Sequence, residues 1–189
     1  MRKKHEKKNK IGLWLAVFIA FIMLTSTIGY VFKGGSNEKY NDFSFSRTDD
    51  GRWYTKINGR QMSFNYFPAD LENINLSVEI VDKIKNTNMV YFTHDPENRY
   101  SGDIALSKEM FWPYFQIYAD SGLTVNNTFG LPVVGCNNAT NILPVIYFKE
   151  SNQTGFYLDN NCIICELRPG DDFTALKERL LYGLFDVIE

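Results

Sequence analysis

The spacing of apolar residues changes several times along this chain, and each change marks an element. The first run is unbroken: residues 11 to 32, IGLWLAVFIAFIMLTSTIGYVF, contain no charged side chain. At about 1.5 Å rise per residue this stretch reaches roughly 33 Å, enough to cross a hydrocarbon core of about 30 Å, so it predicts one transmembrane signal anchor. A cleaved signal peptide is the competing reading, because basic residues precede the run and Thr25, Ser26, Thr27 and Gly29 lie near its end. The run outlasts the usual h-region and shows no A-x-A site, which favours the anchor.

Residues 33 to 41, KGGSNEKYN, read as a short linker, and residues 42 to 189 as one domain. The domain opens with alternating segments, DFSFSRT, RWYTKI and QMSFNYF, separated by Asp50-Gly51 and Asn58-Gly59. Such dipeptides accept the positive φ of tight hairpin turns, so the pattern predicts a β meander. Residues 76 to 86 switch to helical spacing through Val78, Val81 and Ile84, and residues 88 to 96 return to a strand ended by Pro96. Residues 103 to 120 carry Leu106, Met110, Phe111, Tyr114, Phe115 and Tyr118 at helical spacing, with Pro113 expected to bend or divide the helix. LTVNNTF, PVIYFKE, TGFYLDN and CIICELR follow as strands. A final helix has its apolar stripe on Phe173, Leu176, Leu180, Leu181, Leu184 and Phe185, with Asp171 or Asp172 as N-cap. This order predicts an α+β fold: a transmembrane helix, then one globular domain with a mixed, largely antiparallel sheet and about three helices.

Composition agrees with a globular domain, since 44% of the 189 residues are apolar and 15% aromatic. The net charge of −2 conceals an asymmetry, with six Lys or Arg and one Glu in residues 1 to 10 against 14 basic and 21 acidic residues in the remainder. The body therefore offers no basic stripe for nucleic acid. The basic tail ahead of the apolar run keeps the N-terminus in the cytoplasm and exports the domain. The expected partners are a lipid membrane through residues 11 to 32 and a protein at the cell surface.

Export changes the meaning of the cysteines, Cys136, Cys162 and Cys165. Cys162 and Cys165 form a CxxC, yet they fall within an apolar strand, where residues three apart face opposite sides about 10 Å apart along it. The better pair is Cys136 with Cys162, a loop before one strand and the start of a later one, which leaves Cys165 as a free thiol. A catalytic alternative places Cys136 with His94 and Asp95, but THDPEN is an ordinary turn sequence. His5 and His94 do not complete a metal set with these thiols, and no cofactor is expected. Asn75, Asn126, Asn138 and Asn152 each begin an N-x-S/T sequon permissive for glycosylation.

LPVVGCNNAT, PVIYF, NNCIICEL and LKERLLYGLF, with the basic N-terminus and apolar run, resemble small signal-anchored archaeal proteins of unknown function. The resemblance implies an archaeal surface location and a disulfide-bearing domain, and carries no activity. The expected function is thus a membrane-anchored protein with an extracytoplasmic domain in a binding or structural role. The rival is an exported thiol enzyme, either an oxidoreductase using Cys162 and Cys165 or a hydrolase using Cys136 and His94.

Overall fold

The computed structural model describes residues 14–23 and 37–188. Helix α1 (residues 14–23) occupies part of the apolar run. No described helix is long and apolar enough to cross a membrane. This corrects the expected spanning helix: the ten residues of α1 extend about 15 Å, half of the roughly 30 Å required. Residues 11–13 and 24–32 of that expectation lie outside the described residues.

The meander forms as β1 (Asn37–Tyr40), β2 (Phe43–Arg47), β3 (Trp53–Ile57) and β4 (Arg60–Phe64), in antiparallel order β1-β2-β3-β4. Its turns rely on backbone that only special residues take readily, with φ of +82° at Gly51, +49° at Asn58 and +79° at Gly59. Strand β1 begins inside the stretch read as linker. Strict alternation buries Phe45, Trp53, Ile57, Met62 and Phe64 on one face and leaves Ser44, Lys56 and Ser63 in water.

The second sheet runs β6-β5-β7-β9-β8, built from β5 (Met89–His94), β6 (Tyr118–Leu123), β7 (Val145–Glu150), β8 (Gly155–Asp159) and β9 (Cys162–Leu167). Only β8 is antiparallel to its neighbour, so the expected single, largely antiparallel sheet is replaced by two sheets, the second mainly parallel. The physical reason lies in the connections: β5 reaches β6 through helices α3 (Ser101–Ser107) and α4 (Phe111–Phe115), and such a crossover returns the chain in the same direction. Parallel strands are buried on both faces, which is why every residue of β9 is buried.

The helix expected over residues 103 to 120 is also interrupted and shortened. A 3-10 turn at Lys108–Met110 divides it, while Pro113 sits in the first turn of α4, where it loses no helical hydrogen bond. Gln116 at φ +57° then ends the helix, so Tyr118–Leu123 becomes the strand that was expected to start at Leu123.

Helices α2 (Val78–Lys85), α3, α4 and α5 (Phe173–Leu184) share the core with one face of the second sheet, through Ile80, Ile104, Phe111 and Leu176 against Val90, Phe92, Ile146 and Ile163. The opposite face is covered by the β6–β7 loop, with Val134 and Cys136 packed on Val145, Cys162 and Ile164. The meander reaches the same core through α5, whose Tyr182 ring lies 6.1 Å from Phe45 and 4.3 Å from Phe64. One turn earlier, the buried Glu178 carboxylate accepts the Asn65 amide at 2.9 Å, the Asn65 side chain at 2.8 Å and the Tyr66 amide at 3.0 Å. The Tyr182 hydroxyl donates to the Tyr66 carbonyl at 2.7 Å.

Glu178→Ala strands the two backbone donors of Asn65 and Tyr66 at a buried junction, and is expected to destabilise the fold by about 3 kcal/mol in urea unfolding, with Tyr182→Phe costing about 1 kcal/mol.

Candidate functional site

The residues singled out by sequence are separated by the second sheet. Cys136 and Cys162 form a disulfide, with their Cα atoms 5.1 Å apart. It fastens the 3-10 turn Cys136–Asn138 of the β6–β7 loop to the first residue of β9. Cys165 is a free thiol on the other face, packed in the main core, and burial pushes its pKa well above the ordinary thiol value. It therefore stays protonated and unreactive. Cys162 and Cys165 face opposite sides, as strand alternation requires.

His94 ends β5 between Leu123 of β6 and Phe148 of β7. Its neighbour Thr93 donates to the Val134 carbonyl at 2.7 Å on the disulfide side, so His94 points to the opposite face from Cys136. His94 Nδ1 is buried without a hydrogen-bond partner. Asp95 turns outward, and its carboxylate accepts the Glu97 amide at 2.8 Å as an ordinary turn cap. Cys136, His94 and Asp95 are thus not brought together. Among the described residues no group of His, Cys, Asp and Glu is arranged to hold a metal ion.

The four sequon asparagines are exposed. Asn75 donates its amide to the Phe156 carbonyl at 3.3 Å and joins β8 through a parallel bridge to Gly155. Asn138 accepts the Gly135 amide at 2.9 Å and closes the turn around Cys136. Asn126 lies in the β6–β7 loop, and Asn152 between β7 and β8.

In open parallel sheets, ligands tend to collect at the carboxyl ends of the strands where neighbouring connections diverge. That point here lies between β5, whose chain leaves toward β6, and β7, whose chain leaves toward β8. Arg99 crosses it, donating through Nε and Nη2 to Glu150 at 3.0 and 3.3 Å. The open site lies to one side, at the carboxyl end of β9, as a groove of about 610 Å³. Three separate segments line it: Tyr66 to Ile74, Asn152 to Thr154, and Arg168 to Ala175.

The floor of this groove is a fixed polar network. Asp172 caps α5 through the Thr174 amide at 2.8 Å and accepts the Tyr66 hydroxyl at 2.6 Å. The Asp172 carboxylate raises the Tyr66 pKa to about 12, with burial adding to it. Burial opposes ionisation of Asp172, but the Tyr66 hydroxyl and Thr174 amide outweigh it and hold the carboxyl below its ordinary value. Asp171 is lowered by the Thr154 hydroxyl and then by Arg168, whose Nη2 lies 3.0 Å away. Gln153 donates to Glu166 at 2.7 Å. Asn73 and Asn152 line the same groove, and their side-chain amides make no hydrogen bond with the described residues. None of this was singled out from sequence except Asn152 as a sequon and the capping aspartates, because the three segments are distant along the chain.

Comparison with protein-family models, with curated proteins and with solved structures gave no match.

Closing a span of 26 residues, the disulfide is expected to contribute about 3 kcal/mol. Cys136→Ser with Cys162→Ser should lower stability by that amount, while Cys165 in the native protein should react with a thiol reagent only as fast as the protein unfolds. Burial depresses the His94 pKa, with Asp95 opposing, so the unfolded chain binds more protons between the folded value and about 6.5. Stability should therefore fall as pH drops below about 6.5, and His94→Gln should flatten that loss in urea midpoints measured from pH 7.5 to 5.

Proposed function

We propose that this chain acts outside the cytoplasm, at the cell surface, as a binding domain whose groove receives a neutral, hydroxyl-rich ligand of the saccharide class. The observation that carries this reading is the groove itself. Its walls present planar carboxylate, amide and guanidinium groups whose orientations are held by neighbours, so hydrogen-bond donors and acceptors are arranged before a ligand arrives. Two unpaired amides, Asn73 and Asn152, supply both donor and acceptor to an alternating array of hydroxyls. Three carboxylates, Asp70, Asp171 and Asp172, against Arg168 disfavour an anionic ligand.

The compartment is supported by the disulfide, since such bonds persist in oxidising surroundings and are rare in the cytosol. The thiol-enzyme reading has no comparable support, because Cys136 and Cys162 are bonded and Cys165 is sealed in the core. Asn152 gives the groove a second consequence: a glycan attached there would occupy it.

A panel of neutral oligosaccharides presented to the purified full-length protein tests the proposal. At least one should bind saturably, and Asn73→Ala and Asn152→Ala should each weaken it about tenfold with little change in melting temperature. A folded protein that binds none of the panel, or binding indifferent to both substitutions, overturns it.

A further inference from the structure

Helix α5 carries a second group that the groove does not use. Arg179 is only 4% exposed, yet it has no ion-pair partner among the described residues. Its Nε donates to the Ile74 carbonyl at 3.1 Å, and its Nη1 is fully enclosed with no hydrogen-bond partner. Burial disfavours its charge, with Tyr40 and Glu72 opposing, but a guanidinium remains charged in proteins. A buried charge without a counter-charge is costly, so the open space that Arg179 lines is where a compensating anionic group would bind.

Arg179 and Ile188 line two cavities, of about 220 and 350 Å³. The smaller lies between α2 and α5, with Leu76, Val78 and Val81 forming an apolar wall. Gly183 lets α5 approach Leu76 and Val81 closely beside the guanidinium. A Cβ built on Gly183 would come within 2.7 Å of Leu76 Cδ2, 3.1 Å of Val81 Cγ2 and 3.6 Å of Arg179 Nη1.

The other charged groups decide the ligand class. Asp82 and Asp186 line the smaller cavity, and Glu72 the larger. Two of the three are engaged: Asp186 pairs with Lys85 at 2.6 Å, and Glu72 accepts the Tyr40 hydroxyl at 2.8 Å. The Asp82 carboxylate, exposed at the rim, has no hydrogen-bond or ion-pair partner among the described residues. In the α2–α5 cavity a simple anion would meet Arg179 but also two carboxylates, Asp82 and Asp186, and a simple cation would meet a buried guanidinium. A small zwitterion satisfies both signs. The apolar wall adds a requirement for an aliphatic side chain, and a cavity below the roughly 300 to 1,000 Å³ of drug-sized sites limits the ligand to about the size of an amino acid.

We propose that the α2–α5 cavity binds a free aliphatic α-amino acid, with its carboxylate on Arg179, its ammonium on Asp82 and its side chain against Leu76, Val81 and Ile188. The carboxylate meets the part of the Arg179 guanidinium that lines the cavity, in the charge-assisted pairing that guanidinium favours, and supplies the counter-charge this buried side chain lacks.

Calorimetric titration and thermal-shift measurement of the full-length protein with L-leucine test this directly. L-Leucine is expected to bind saturably and raise the melting temperature, at least tenfold more tightly than glycine, L-leucinamide or 4-methylpentanoate, which lack the side chain, the carboxylate and the ammonium respectively. Arg179→Met should abolish binding. Asp82→Asn, a change at an exposed position that leaves the unliganded melt in place, should weaken L-leucine at least tenfold. The proposal is overturned if the cooperatively melting wild-type protein gives no saturable response to L-leucine at tens of millimolar, if any of the three analogues binds as tightly, or if Asp82→Asn binds with wild-type affinity.

Discussion

The buried carboxylate of Glu178, shared among the backbone and side-chain donors of Asn65 and Tyr66, is the contact on which the arrangement of the whole domain turns. A carboxylate taken out of water is expensive, and burial raises its pKa, with the Asn65 and Tyr66 donors pulling the other way. Those donors come from the end of β4, so the charge is tolerated only where the meander closes on α5. The cost of burial is thereby converted into a registration device: the two sheets can dock in one way, with Tyr182 adding its hydroxyl to Tyr66 and its ring to Phe64.

Because α5 is enclosed, each of its faces has a separate task. Leu176, Leu180 and Leu181 complete the core against the second sheet, Glu178 and Tyr182 hold the meander, and Arg179 with Gly183 faces α2. Both candidate ligand sites are products of that one placement. The first turn of α5, with Asp172, forms part of the polar groove, and its later turns form a wall of the α2–α5 cavity. The disulfide acts elsewhere, on the far face of the second sheet, where the β6–β7 loop covers the strands.

What could be read from the chain was what depends on near neighbours. The hairpins at Asp50-Gly51 and Asn58-Gly59 were legible because a positive φ restricts the residue type, and the apolar stripe of α5 because helical period is local. The Cys136–Cys162 bond was legible because strand alternation excludes Cys162 with Cys165, while a loop before one strand and the start of a later strand can meet at one sheet edge. The parallel order of the second sheet was obscured because similar apolar runs serve either direction, and direction is set by the crossover through α3 and α4. Strand β6 was masked by the helical spacing of Phe111, Phe115 and Tyr118, which gives no warning of the left-handed turn at Gln116. Glu178 and Arg179 are charged residues outside the apolar stripe of α5, and nothing in the local pattern singles them out. Their burial is imposed by Asn65 and Ile74, more than a hundred residues earlier, so no window along the chain could reveal it.

If α5 makes the two sheets one structural unit, the most direct measurement is native-state hydrogen exchange followed across increasing urea. Amides of Trp53–Ile57 in the meander and of Val145–Glu150 in the second sheet should exchange through openings of equal free energy and equal urea dependence. A meander that opens at lower free energy, with its own smaller urea dependence while the second sheet stays protected, would contradict the single unit and the role given to Glu178.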